Sequence, residues 1–146
     1  MRAGSADEVV QHLIAGLGLV AARVLVLASR GHDFIGRAAS DSVEQATVGS
    51  LRIPADRPSV VLTACESGYY LGELPQTPVH AALAVALGQP NGEVLVQVVH
   101  VGARVALVTF CTLALESARA TRRAEKMVKA AGESIERILL DRKLRG

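Results

Sequence analysis

The sequence predicts a single α+β domain over residues 1–146, with an antiparallel sheet of five to six strands and helices at both ends of the chain. Two observations carry this prediction. The strand-like segments come as hairpins rather than alternating with helices, and the first and last segments have helical apolar periodicity. Half of the 146 residues are hydrophobic, so the chain can bury a core without disulfides.

The first helix is predicted from Ser5-Ala6-Asp7-Glu8, which has the form of a capping box. Two short runs rich in branched aliphatic residues follow, at 23–29 and 34–39. The polar, glycine-containing segment 30–33 between them predicts a hairpin turn. Apolar residues alternate with Arg52 over residues 51–53, which predicts a short edge strand.

In the second half of the chain, prolines and glycines mark the predicted element boundaries. Pro58 and Thr77-Pro78 each open a predicted helix, and Gly68 and Gly88 end these helices. A brief strand is predicted at 69–74. The strongest predicted strands are 93–100 and 104–111, joined by a Gly-containing turn. Both are nearly all apolar, which predicts central strands covered on both faces by helices.

Residues 113–146 predict a long C-terminal helix that contains no proline. About 28 helical residues would span about 42 Å, which exceeds the width of one small domain. We therefore expect part of the apolar stripe of this helix to meet a second molecule.

The element order from Ser59 to Phe110 resembles the second half of a GAF domain, a fold found in bacterial signalling proteins. In both, a short helix ending in Ser-Gly precedes a strand, a proline-flanked turn with a small helix, and two strands joined by a glycine turn. Leu51-Arg52-Ile53-Pro54 fits the preceding strand. The terminal helices fit the pair that often joins subunits in this family. The roadblock-like fold of GTPase regulators has a similar element order and stays open as an alternative.

The departures from the GAF pattern imply a scaffold without a cofactor. The residue set of cyclic-nucleotide-binding members is not found here. Cys65 is followed by Glu66 and Cys111 by Thr112, whereas bilin-binding members have a cysteine usually followed by histidine. Two cysteines are also fewer than the members that reduce methionine sulfoxide require. No metal is expected either, because the four histidines have no ligand-like spacing.

Composition excludes several function classes. Aromatic residues make up 3% of the chain and tryptophan is absent, so a stacking platform for single-stranded nucleic acid is not expected. Charged residues interrupt every apolar run before it reaches the length of a membrane span. The first residues do not resemble a signal peptide. With two cysteines in all, a disulfide framework is not expected, and we expect a cytoplasmic protein.

No catalytic motif is present, so the first hypothesis is a non-enzymatic signalling or assembly module. It would form a homodimer and dock onto another cytoplasmic signalling or scaffold protein. Its predicted contact surface is the apolar stripe of the terminal helices: Val10, Leu13, Leu17, Met127, Ala131, Ile135 and Ile138.

A second hypothesis is a small-ligand sensor. In a GAF-like scaffold its pocket would be bordered by Phe34, Tyr69, Tyr70 and Glu73. An enzyme with Cys65 as nucleophile is disfavoured, because Glu66 beside it opposes thiolate formation. Both cysteines are interpreted as small core residues.

Overall fold

The fold is described by a computed structural model that covers residues 5–90, 92–113 and 117–145. Strands alternate with short helices in the middle of the chain, and the longest helix comes last. The strands are β1 (Ala21–Arg30), β2 (Asp33–Ala39), β3 (Arg52–Pro54), β4 (Tyr69–Glu73), β5 (Glu93–Val101) and β6 (Arg104–Leu113). The helices are α1 (Ala6–Leu17), α2 (Gln45–Ser50), α3 (Val60–Ser67), α4 (Ala81–Ala86) and α5 (Ser117–Arg145), with a 3-10 turn at Pro78–His80 before α4.

All six strands form one antiparallel sheet in the order β3-β2-β1-β6-β5-β4. The inner strands β1, β6 and β5 are rich in aliphatic residues, and the side chains of residues 24–27 have no exposed surface. Successive side chains of a strand point to opposite faces, so a run of this kind must be covered on both faces. The prediction of central, doubly covered strands at β5 and β6 is confirmed.

The helices form two layers, one on each face of the sheet. Helices α1 and α5 pack on one face, over side chains such as Val24 and Leu95. Helices α2, α3 and α4 pack on the other face, over neighbouring side chains such as Leu25 and Val96. The predicted α+β architecture, with both terminal helices on one face of an antiparallel sheet, is therefore confirmed.

Local sequence explains where two of the helices begin. The Ser5 hydroxyl accepts a hydrogen bond from the Glu8 amide at 3.3 Å, as the capping box predicts. In α3 the cap is Ser59, whose hydroxyl accepts from the Leu62 amide at 3.2 Å. The sequence places the start of this helix at Pro58. In the structure it begins two residues later, at Val60, because Ser59 supplies the oxygen that an unpaired helical amide needs.

Helix α2 was not predicted from the sequence. It has only six residues and a single buried side chain, Val48. A pattern of one apolar residue contains no periodicity, so sequence reasoning could not distinguish this helix from a loop. Its position is set by packing against β2, where Gly36 lies directly under the Val48 carbonyl with no room for a side chain.

Helix α5 runs antiparallel to α1 and along the sheet toward the tip of the β5–β6 hairpin. Met127 lies against Gly16 near the end of α1, whereas Ser134 shares a groove with Val9 near its start. Further along, a Glu136 carboxylate oxygen accepts a hydrogen bond from the Gly102 amide, at the hairpin tip, at 2.6 Å. The 29 residues of α5 would extend about 44 Å, so its last turns lie beyond the sheet.

Candidate functional site

The four residues of the predicted ligand pocket are not brought together. Phe34 lies on β2 and Tyr70 on β4, with three strands between them. At a spacing of about 4.8 Å per strand, about 19 Å separates these two strands along the sheet. Tyr69 and Glu73 point to the opposite face from Tyr70, because neighbouring strand residues alternate in direction. The structure therefore does not gather the four residues around one cavity, and Phe34 is a core residue with 6% of its surface exposed.

Tyr70 makes its own local contacts rather than facing a cavity. Its hydroxyl donates to the backbone carbonyl of Glu73. Its ring lies close to Gly72, where an added Cβ would be 3.0 Å from the hydroxyl oxygen. The other tyrosine, Tyr69, is 53% exposed on the α5 side of β4. One tyrosine thus packs against the core and its neighbour lies at the surface.

A different cleft, which the sequence did not predict, lies beside α4. It has a volume of about 510 Å³ and is bounded by residues between Leu74 and Pro90, including Thr77 and Val85. Gln89, at its rim, has a backbone φ of +53°, which is uncommon for a residue other than glycine. Its amide donates to the Ala84 carbonyl at 2.7 Å, which holds the chain in a tight reversal after α4.

His80 connects this cleft to helix α3. The Val60 amide, at the start of α3, donates to Nε2 of His80 at 3.1 Å. Nε2 is therefore the unprotonated nitrogen, and the proton on Nδ1 faces the Thr77 hydroxyl oxygen at 2.6 Å. The imidazole is 3% exposed, and this burial lowers its pKa. Both ring nitrogens are occupied, so His80 acts as a structural link rather than as a free base.

The two cysteines are poor nucleophiles. Cys111 is buried on β6, and desolvation raises its pKa to about 12. Cys65 on α3 is half-buried, and burial, followed by the charge of Glu66, raises its pKa. The core interpretation is confirmed for Cys111, whereas Cys65 packs at the margin of the core. Within the described residues, no three His, Cys, Asp or Glu side chains are grouped so as to hold a metal ion.

The predicted contact surface on the terminal helices needs a correction. Six of its seven residues have at most 8% of their surface exposed and lie in the core between these helices and the sheet. Helices α1 and α5 cover each other's apolar stripes, so these side chains are not available to a second molecule. The buried residues are Val10, Leu13, Leu17, Ala131, Ile135 and Ile138. Met127, half-buried, is the exception.

The terminal helices nevertheless leave two apolar features at the surface. The first, here called the α1–α5 groove, has a volume of about 210 Å³ and lies between Val9 and His12 on one helix and Met127 and Ala130 on the other. The second, here called the leucine patch, lies where α5 passes beyond the sheet. Its exposed fractions are 44% for Leu139, 57% for Leu140 and 78% for Leu144.

Known proteins match this chain in three-dimensional structure but not in sequence. No protein-family model and no curated protein matches the chain. The GAF domain/HD domain protein from Geobacter sulfurreducens matches with a TM-score of 0.73 at 15% identity, over 94% of this chain and 95% of that one. The GAF domain of a two-component sensor histidine kinase from Bacillus halodurans matches with a TM-score of 0.71 at 18% identity, over 94% of this chain and 98% of that one. The GAF-B domain of DevS from Mycobacterium smegmatis matches with a TM-score of 0.72 at 13% identity, over 96% of this chain and 99% of that one.

This chain has the GAF fold. The resemblance inferred from its element order is confirmed, and the roadblock-like alternative is set aside. At 13–18% identity, these matches establish the fold of the chain and not its sequence family. Among the described residues, no helix combines the length and the apolar character needed to cross a bilayer.

Proposed function

We propose that this GAF-like chain is a non-enzymatic signalling module that homodimerises through the end of α5 and so presents a platform for another protein. The observation that carries the proposal is the leucine patch, three large apolar side chains exposed on one short segment. The matched GAF domains include one from a sensor histidine kinase, which supports a signalling role.

The partner we propose for the leucine patch is a second copy of this chain. Leu140 and Leu144 are four residues apart and therefore lie on one face of α5. In a two-fold dimer, the patch of each protomer would occupy the α1–α5 groove of the other, which offers Met127 and Ala130 as apolar contacts. Charge favours contact with the α1 wall of that groove, since the first turn of α1 carries Asp7 and Glu8, whereas residues 119–145 contain nine Lys or Arg against four acidic residues.

The test is the mass of the protein in solution, measured by light scattering over a range of concentrations. The wild type is expected to be a dimer, and the double variant Leu140→Glu/Leu144→Glu a monomer with an unchanged circular dichroism spectrum. Glutamate is a good helix former, so α5 should persist in the variant. As a matched control, Leu19→Glu/Val85→Glu replaces two other exposed aliphatic side chains, which are 73% and 59% exposed, and should remain dimeric.

Two outcomes would contradict the proposal. A wild type that stays monomeric at high micromolar concentration would rule out the proposed dimer. A monomeric control variant would show that loss of the dimer is not specific to the leucine patch. Ile135→Glu is expected to unfold the protein rather than divide the dimer, because Ile135 is 7% exposed and lies in the core.

A second candidate function is small-ligand sensing in the cleft beside α4. Its volume of about 510 Å³ supports this reading, because ligand pockets commonly measure roughly 300–1,000 Å³. A thermal-shift screen with nucleotides and small metabolites tests it, since a ligand at 100 times its Kd stabilises a protein by about 2.7 kcal/mol. The variant Ala84→Trp would fill the cleft and should abolish any such shift. A screen without hits, or a shift that survives in Ala84→Trp, would argue against this candidate.

A further inference from the structure

A groove of about 340 Å³ lies on the α5 side of the sheet, where β4 stops short of the end of β5. Strand β4 pairs with β5 only as far as Gln97, so the residues of β5 from Val98 onward have no strand on that side. Gly68, with a φ of +95°, ends α3 at this point and leaves the space open. Helix α5 forms the opposite wall, here with Glu125 and Glu133. We call this space the α5–β5 groove.

A buried polar side chain without a partner lines the α5–β5 groove. Gln97 is 5% exposed, and its Oε1 atom has no hydrogen-bond partner in the described part of the chain. Its neighbours on the same face of β5 are Leu95 and Val99, which belong to the core. An aliphatic residue at 97 would avoid an unpaired buried oxygen, which is costly to leave without a donor. The last side-chain torsion of a glutamine has a broad, roughly two-fold distribution, so the Gln97 oxygen can turn toward a donor that enters the groove.

The charges around Gln97 favour a cation. Three carboxylates line the groove, from Glu125, Glu133 and Glu136, together with the ammonium group of Lys129 and the imidazole of His100. Glu136 is engaged by the Gly102 amide. Glu125 and Glu133 take part in neither of the two salt bridges found between described residues, Arg37 with Asp7 and Arg52 with Asp33.

The chemistry of the groove selects a class of cation. No cluster of three metal-binding side chains is formed by the residues described here. Once the Gln97 amide turns its oxygen toward the groove, that oxygen requires an N–H donor, and the carboxylates at the rim require a positive charge. A protonated amine meets both requirements, and a volume of about 340 Å³ suits a small molecule.

We propose that the α5–β5 groove binds a small organic amine, whose ammonium group donates to Oε1 of Gln97 and is held electrostatically by Glu125 and Glu133. The site is independent of the proposed dimer contact, which uses the leucine patch further along α5. It also lies on the opposite face of the sheet from the cleft beside α4.

The experiment is a nuclear magnetic resonance titration of the whole chain with putrescine, with tetramethylammonium as the control ligand. Tetramethylammonium has the same kind of charge but no N–H donor. Putrescine is expected to shift the Gln97 side-chain amide and the Gly132 backbone amide saturably, and tetramethylammonium, which the carboxylates attract but which cannot donate to Oε1, to shift them only at much higher concentration. Identical shifts with both ligands, or no saturable shift with putrescine, would overturn the proposal.

Three variants separate this site from general attraction to an acidic surface. Gln97→Met removes the buried oxygen and should weaken putrescine binding about tenfold or more while raising the Tm. Glu133→Gln should weaken putrescine binding. It should leave the stability of the fold unchanged, since the Glu133 side chain is exposed. Glu66→Gln, an exposed glutamate on α3, is the matched control and should bind as the wild type does. Wild-type affinity in Gln97→Met would overturn the proposal even if Glu133→Gln binds more weakly.

Discussion

Replacing Gly132 by alanine should destabilise this protein, although the same change stabilises most exposed helices. An added Cβ at Gly132 would lie 2.6 Å from the backbone carbonyl oxygen of His100 on β5. A backbone atom in a sheet cannot move aside as a flexible side chain can, so α5 must lift away from β5. Overpacking typically costs about 1–3 kcal/mol, and a 2.6 Å approach to a backbone atom belongs to the upper part of that range, about 2–3 kcal/mol. The intrinsic helix preference of alanine over glycine returns about 1 kcal/mol.

The expected net loss is therefore about 1–2 kcal/mol in the free energy of unfolding, because the steric cost exceeds the gain in helix propensity. For a chain of this size that corresponds to a fall in Tm of about 3–6 °C. Urea denaturation followed by circular dichroism measures the free energy directly through the midpoint and slope.

Gly49→Ala provides a matched control for this prediction. Gly49 also lies in a helix, α2, but an added Cβ there would meet no atom within 4 Å. The same substitution should therefore be neutral or stabilise the protein by up to about 1 kcal/mol. If Gly132→Ala proves as stable as the wild type, or if both variants lose stability equally, the close approach of α5 to β5 is not what determines the residue at 132.

Three further predictions concern single side chains. The free energy of unfolding should fall as the pH drops below the ordinary histidine pKa of 6.5 toward the lowered folded-state pKa of His80, because the unfolded chain takes up the proton first. Urea midpoints measured across this pH range test the expectation, and His80→Gln should flatten the dependence of stability on pH. Cys111, with its pKa raised to about 12, should react with a thiol reagent only when the protein unfolds, which labelling with and without urea will reveal. Ser59→Ala should lower the free energy of unfolding by about 1 kcal/mol through loss of the α3 cap, whereas Ser67→Ala in the last turn of α3 should change it little; thermal denaturation compares the two.

The interface prediction shows where sequence reasoning stops. The apolar stripes that contain Leu13 and Ile135 are evident from spacing alone, and both lie on helices as predicted. Spacing says that such a stripe must be covered, but it does not say by what. In the structure α1 and α5 cover each other and the sheet, so the surface left for a partner is the leucine patch, which has less regular spacing.

The four residues predicted to border a pocket lie apart in the structure for a reason that was partly visible in the sequence. Tyr69 and Tyr70 are neighbours in a predicted strand, and a strand sends neighbouring side chains to opposite faces. Their separation across the sheet was therefore foreseeable. The position of Phe34 was not, because the strand order that places β2 and β4 far apart depends on long-range pairing.

The sequence by itself determined the elements whose signals are local: the capped first helix, both hairpins, the two central apolar strands and the long final helix. Each depends on contacts within a few residues or on a periodicity that one segment contains. Tertiary structure alone decided the link from His80 to Val60, the burial of Gln97 and the close approach at Gly132. These features join residues 20 or more positions apart, or a helix to a strand, and the chain brings such groups together only when the whole sheet has formed.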